Sequence, residues 1–305
     1  MSLELHWMRP EAPYMPVATV GLLSVLDDDG EHATASWEGT GPNATLVIAT
    51  RRSAEEVAEC IVNAPWPDLD EIRWGNYKVG QALKPTLAEL LKRDDARSPV
   101  EEFRRLVKES PETEARLLRA ILCDGALDAD GSPLRSRLLR GVKSDLSSVR
   151  NRPKRIKAEQ IARELTDGPD FVRGSSGLGL GLVPEVHTFG GTTGPDASTV
   201  GAYSALLFLL LWHGIMALPP VAVARGRSRT VGGPMVTEPD VLSWPRWRCT
   251  LDLPSLKTML SLPAIHAERP DVDLLAQRGI DAVFRARAEP INSMVAVFRW
   301  GDRVA

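Results

Sequence analysis

An α+β fold is what this sequence predicts, and three observations carry the prediction. The first part of the chain alternates short extended runs with apolar or capped helical ones. The middle is dense in helix-start signals. The last part combines one uninterrupted apolar run with β-rich segments. The expected plan is an N-terminal mixed α/β domain over residues 1–130, a basic segment or linker over 131–175, and a C-terminal α+β domain over 176–305. That last domain would hold a long buried helix and a terminal β-hairpin. Of the 305 residues 43% are apolar, enough to bury cores of that size.

Each element has a local reason. Leu3, Leu5 and Trp7 alternate with polar residues, as a first strand does. Val17 to Leu26 reads as a buried helix, stopped by Asp27-Asp28-Asp29-Gly30. Ala33–Trp37 and Thr45–Thr50 read as two strands around a Gly-Pro turn. Ser53 with Glu56 three residues on is a capping box, in which each side chain satisfies a backbone N–H beside the other.

Ser98-Pro99 with Glu101 opens a second capped helix, and Ser110-Pro111 a third whose apolar face is Leu117, Leu118, Ile121 and Leu122. The loop Asp128-Ala129-Asp130-Gly131-Ser132-Pro133 lacks calcium chemistry, because Ala126 and Arg137 stand where the first and last carboxylate ligands belong. The apolar helix is expected to start near Ser198. A Gly/Arg loop, a strand near Trp247 to Leu251, a helix from Ser255 and one running from Asp271 to Gly279 follow. Ala282–Ala288 and Ser293–Trp300 read as a hairpin turning at Glu289-Pro290.

Charge and composition narrow the function. The net charge is -3, so nucleic-acid contact must come from local patches and not from the chain as a whole. Cys60, Cys123 and Cys249 are odd in number and far apart, which argues against a disulfide framework or zinc site and for the cytoplasm. Glu4, His6 and Arg9 stand where a secretion signal needs an apolar core. The uncharged run 197–218 has the length of a bilayer span, but its serines, threonine, His213 and glycines favour a buried core helix. A membrane anchor is the alternative.

The search for catalytic motifs returns little. Gly174–Gly181 is glycine-rich, yet Leu follows where a phosphate loop needs Lys, and Pro184 stands where a dinucleotide fingerprint needs Gly. No histidine pair has metal-ligand spacing. His187, with Glu185 or Asp196 nearby in the Gly174–Gly194 loops, is the candidate set for a small enzyme. The expectation is a chain without an active site of its own and without a cofactor.

Uncompensated basic residues are the strongest local signal. Between Leu134 and Arg163 ten basic residues face two acidic ones. Arg135, Arg137, Arg140 and Lys143 form one cluster, and Arg150, Arg152, Lys154, Arg155 and Lys157 a second. Side chains of this kind gain affinity for phosphates by releasing counterions. The alternative is a solvated face paired with acidic neighbours. Arg225, Arg227 and Arg229 alternate in a glycine-rich stretch suited to gripping phosphate or guanine. Asn76, Tyr77, Lys78 and Lys84 make a further polar and basic turn beside glycines.

The order of features resembles the large subunit of type I CRISPR–Cas effector complexes, in particular the I-U/I-G group. The segments concerned are Tyr14–Leu26 with its Gly21-Leu22-Leu23 core, Ala35–Gly39, Leu46–Thr50, Gly80–Pro85, the late apolar helix and Trp244-Pro245-Arg246-Trp247. Each is short. The resemblance implies a subunit at the guide-RNA 5′ end of a cytoplasmic antiviral complex. Such a subunit recognises the motif flanking a double-stranded DNA target (the PAM), helps open the duplex and docks a helicase–nuclease, without chemistry of its own. It implies as partners guide RNA, target DNA, the backbone and other subunits, and that helicase–nuclease, and it implies no membrane.

Overall fold

Helix caps readable in the sequence fix many of the element ends, and two apolar segments far apart in the chain fix the centre. The computed structural model describes residues 2–74, 77–78, 91, 98–127, 131, 133–139, 149–150, 156–174, 182, 201–223, 227–230, 241–292 and 295–305. Within them the architecture is mixed α/β, with an N-terminal sheet, a helical middle and C-terminal strands.

The N-terminal sheet is antiparallel, with β1 (Ser2–Leu5) and β2 (Thr34–Glu38) flanking β3 (Thr45–Ala49). Leu5 and Trp37 both pair with Leu46, and Ala35 pairs with Ile48. These residues are buried, because directly opposed residues share a face and this face is the inner one. Helix α1 (Met15–Asp28) separates β1 from β2, and α2 (Ala54–Asn63) starts at the Ser53–Glu56 capping box. The short strands β4 (Arg73–Trp74) and β5 (Tyr77–Lys78) pair with each other.

In the middle, α3 (Pro99–Glu109) carries the second capping box, Ser98 with Glu101. Helix α4 (Glu112–Ile121) departs from expectation at its start. Pro111 takes the N-cap position, and no side chain caps the helix, because proline offers no acceptor beyond its backbone. Strands β6 (Leu122–Leu127) and β7 (Pro133–Arg135) follow and pair with each other; further on come α5 (Ala158–Asp167) and β8 (Val172–Gly174).

β9 (Gly201–Tyr203) pairs with β8, and α6 (Ala205–Ala217) is the apolar helix. It begins at Ala205, whereas the sequence suggests a start near Ser198. Ser204 is the reason: its Oγ accepts from the Leu207 N–H at 3.1 Å and donates to the buried Glu164 carboxylate, which also accepts from the Leu206 N–H at 3.2 Å. Two oxygens thus satisfy donors that the first turn of a helix leaves open. All thirteen residues of α6 are buried in protein. Among the described residues no helix is long and apolar enough to cross a membrane.

α1 and α6 pack backbone to backbone. A Cβ on Gly21 would lie 1.9 Å from the Leu210 carbonyl oxygen, and one on Gly214 would lie 2.0 Å from that of Val17. Only glycine allows this approach. Buried side chains from Leu5 to Phe298 form one cluster around the pair.

The two-stranded sheet of β10 (Pro220–Val223) and β11 (Arg227–Thr230) precedes the C-terminal sheet. The latter has the order β12 (Val241–Trp247), β13 (Ile280–Asn292), β14 (Val295–Phe298), with β15 (Asp302–Arg303) also on β13. Glu289 and Pro290 lie inside β13, opposite Val297 and Ala296, and the chain reverses after Asn292 instead. β12 likewise contains Pro245, so it ends where the sequence suggests a strand begins. Helices α7 (Leu253–Leu260), α8 (Pro263–His266) and α9 (Val272–Gln277) lie between β12 and β13, with Asp252 and Asp271 capping α7 and α9.

Long-range polar contacts tie this sheet to the N-terminal segment. Trp244 Nε1 donates to the Pro10 carbonyl at 2.8 Å, and Trp247 Nε1 to that of Ala35 at 3.1 Å. Arg246 donates through two nitrogens to Asp281, each at 2.8 Å, and through a third to the Gly41 carbonyl at 3.2 Å. Burial alone would raise the Asp281 carboxyl, but the hydrogen bonds and charges of Arg246 and Arg248 outweigh it and hold the pKa below the usual carboxylate value.

Candidate nucleic-acid interface

The basic residues singled out by sequence fall partly inside the described structure. Arg140, Lys143, Arg152, Lys154, Arg155, Arg225, Asn76 and Lys84 lie outside the described residues, as do His187, Glu185 and Asp196. Arg150 is exposed, and exposed Lys157 sits at the N-cap of α5. Tyr77 and Lys78 form β5, opposite Trp74 and Arg73.

Arg135, Arg137, Arg227 and Arg229 lie on described segments. Arg135, half-buried, ends β7 opposite Leu122 of β6. Arg137 begins a short 3-10 turn that runs to Leu139. Arg227 and Arg229 lie on β11, which pairs antiparallel with β10. The register sets Val223 opposite Arg227, Ala222 opposite Ser228 and Val221 opposite Arg229. β11 packs against both β6 and the Arg137–Leu139 turn, so two basic segments distant in sequence meet here.

This corrects the reading of Arg227–Thr230 as loop: these residues are strand. The alternation Arg-Ser-Arg-Thr is a strand signal that polar residues disguise, because strand reading by eye depends on alternating apolar side chains. Ser228, between the two arginines, is buried. Asp124, the carboxylate on β6, is engaged by Arg104 at 2.8 Å.

A separate cavity of about 480 Å³ is lined by Asp28, Asp29, Arg52, Glu59, Cys60 and neighbours. Arg52 is clamped between Asp29 at 2.5 Å and Glu31 at 2.7 Å, and also donates to the Cys60 sulfur. Burial pushes the Cys60 thiol up; Arg52 opposes this and Asp29 adds to it. The nucleophile of cysteine chemistry is the thiolate, the form this burial disfavours. His213 packs edge-on to Trp66 with ring centres 5.8 Å apart, in the buried interior. Among the described residues no cluster of three His, Cys, Asp or Glu side chains is placed to hold a metal ion.

No family model, curated protein or solved structure matches the chain. Its function is therefore argued from its own residues.

Proposed function

We propose that this chain is a non-catalytic, nucleic-acid-binding subunit of a larger ribonucleoprotein assembly. The observation that carries the reading is the meeting of the Arg135–Arg137 segment with the Arg227–Arg229 strand. Bringing β11, which carries Arg227 and Arg229, against the turn that begins at Arg137 places two basic segments side by side on a chain whose overall charge is negative, and phosphate binding on such a chain requires a local concentration of this kind. The basic run between Leu134 and Arg163 extends the same signal along the sequence.

The segments quoted for the CRISPR large subunit make the reading specific. In that form the chain works in the cytoplasm, holds the guide-RNA 5′ end among backbone and other subunits, contacts the duplex at the target-flanking motif, helps open it and docks a helicase–nuclease.

Expression of the chain with its genomic neighbours tests the proposal. The chain should co-migrate on a sizing column with RNA and protein partners. Turnover of a small molecule by the isolated chain, abolished by His187→Ala, would contradict it.

A further inference from the structure

A cavity of about 340 Å³ lies between α9 and the start of β13. Val272, Leu275 and Ala276 line it from the helix, and Ile280 and Ala282 from the strand. Leu275, Ile280 and Ala282 are buried. Val272 is 61% exposed, more than any other large apolar side chain among the described residues. The chain thus leaves an apolar wall uncovered at this point, and apolar surface of that kind gains free energy when a ligand covers it.

Arg248 and Asp281 also line the cavity, and they supply its charge. Asp281 answers two guanidiniums at once. Its two oxygens accept from Arg246 at 2.8 Å each, and Oδ2 accepts again from Arg248 Nε at 2.7 Å. Arg246 is buried and donates its remaining terminal nitrogen to the Gly41 carbonyl. One carboxylate does not neutralise two cations, so the excess positive charge falls on Arg248, 57% exposed. Among the described residues its two terminal nitrogens have no partner, and such a pair of donors matches the two oxygens of a carboxylate. Arg303, which donates to the carbonyls of Asp281 and Ala305, adds to the positive side.

We propose that this cavity is a binding site for a small aliphatic carboxylate. The hydrocarbon body lies against Val272, Leu275, Ile280 and Ala282, and the carboxylate on the terminal nitrogens of Arg248. A mostly apolar cavity with one charged group to fix orientation is the usual form of a small-molecule site. A peptide fits less well, because its backbone brings donors and acceptors that need partners. Those near the cavity are taken. The Gly279 N–H donates to the Ala276 carbonyl at 3.0 Å, and the Gly279 carbonyl accepts from the Arg248 N–H at 2.8 Å. Ile280 and Ala282 are paired with β12. The site stands independently of the nucleic-acid reading above.

Isothermal titration of the full chain tests the proposal with four probes. These are octanoate, octylamine with the same body and the opposite charge, butanoate with a shorter body, and a short peptide ending in leucine with a free carboxyl group. Octanoate should bind one to one with a dissociation constant on the order of 0.1–1 mM. The other three should bind at least about tenfold more weakly. Two variants at exposed positions locate the site. Arg248→Gln should weaken octanoate about tenfold, the loss expected for a hydrogen bond to a charged group, and narrow its advantage over octylamine. Ala276→Phe, which fills the cavity from α9, should weaken octanoate by a similar factor while leaving the thermal midpoint of the free protein near that of the parent.

A parent that does not bind octanoate at 10-fold above that range, roughly 10 mM, would overturn the proposal. Parent-like octanoate affinity in Arg248→Gln would overturn the carboxylate contact, and in Ala276→Phe the placement in this cavity. A peptide that binds more tightly than octanoate would overturn the small-molecule assignment and make the cavity a protein-docking site. None of these results bears on the function proposed above, which is tested by RNA and protein partners.

Discussion

Replacing Gly21 with alanine should destabilise the protein by about 2 kcal/mol, although alanine is the better helix former. The structure supplies the reasoning. The new Cβ would meet the Leu210 carbonyl oxygen at 1.9 Å, where an ordinary contact begins at 3.4 Å. The obstacle is backbone, so no rotamer change relieves it. α1 must move away from α6 by roughly 1 Å or more, and a gap of that size forfeits a quarter to a half of each contact it opens. Overpacking of this kind costs roughly 1–3 kcal/mol and occasionally more. Both helices are buried along nearly their whole length, so the upper end applies. The gain in helix propensity returns about 1 kcal/mol. Gly214→Ala, whose Cβ would meet the Val17 carbonyl at 2.0 Å, should behave alike. Urea unfolding followed by far-UV circular dichroism measures the effect. Gly30 is the comparison: its φ is +81° but nothing lies within 4 Å, so alanine there should cost only about 1 kcal/mol of backbone strain. A Gly21→Ala protein as stable as the parent, or more stable, would refute the close α1–α6 contact.

Other predictions concern buried charge and the basic track. Asp281→Asn leaves Arg246, 4% exposed, without its counter-ion and should cost about 3 kcal/mol in urea unfolding at neutral pH. Because the folded-state pKa of Asp281 is depressed, its contribution is present above the ordinary value of 3.8 and fades as pH falls through the folded value. The parent and Asp281→Asn should therefore converge in stability in acid, and a constant gap down to that range would exclude the ion pair as the cause. Glu164→Ala removes the buried acceptor at the start of α6 and should cost about 2 kcal/mol, with Glu164→Gln retaining part of it; equal losses would point to packing and not to the cap. Neutralising Arg150, Arg152, Lys154 and Arg155 together should weaken nucleic-acid binding on every sequence. It should also lower the salt slope by roughly one for every phosphate the protein no longer neutralises, as read by fluorescence anisotropy.

Local signals in the sequence translated into structure well. Ser53 with Glu56 and Ser98 with Glu101 are capping boxes in the fold because both partners lie within one helical turn. Asp271 and Gly279 bracket α9 for the same reason, Gly279 with φ of +75°. Contacts between distant segments were not legible. Nothing near Gly21 announces that Gly214 and Leu210 will pack against it, and Glu164 reads as an ordinary helix residue until Ser204 is placed beside it. Pro245 and Pro290 misplaced two strand boundaries, since proline is a turn signal by default. At the candidate interface the residue types were legible, but the strand pairing that gathers them was not. Arg-Ser-Arg-Thr carries no apolar alternation, and nothing local announces its pairing with Pro220–Val223.

The central claim is that the arginines gathered at β11 and the Arg135–Arg137 segment form one phosphate-binding surface. A salt titration of DNA-duplex binding tests it most directly, comparing the parent with Arg135→Ala/Arg137→Ala, with Arg227→Ala/Arg229→Ala, and with all four changes together. Each pair should weaken binding and lower the salt slope by roughly one to two, and the four changes together should weaken it by less than the sum of the pairs, as residues sharing one partner do. Parent-like affinity and slope in all three variants would contradict the account.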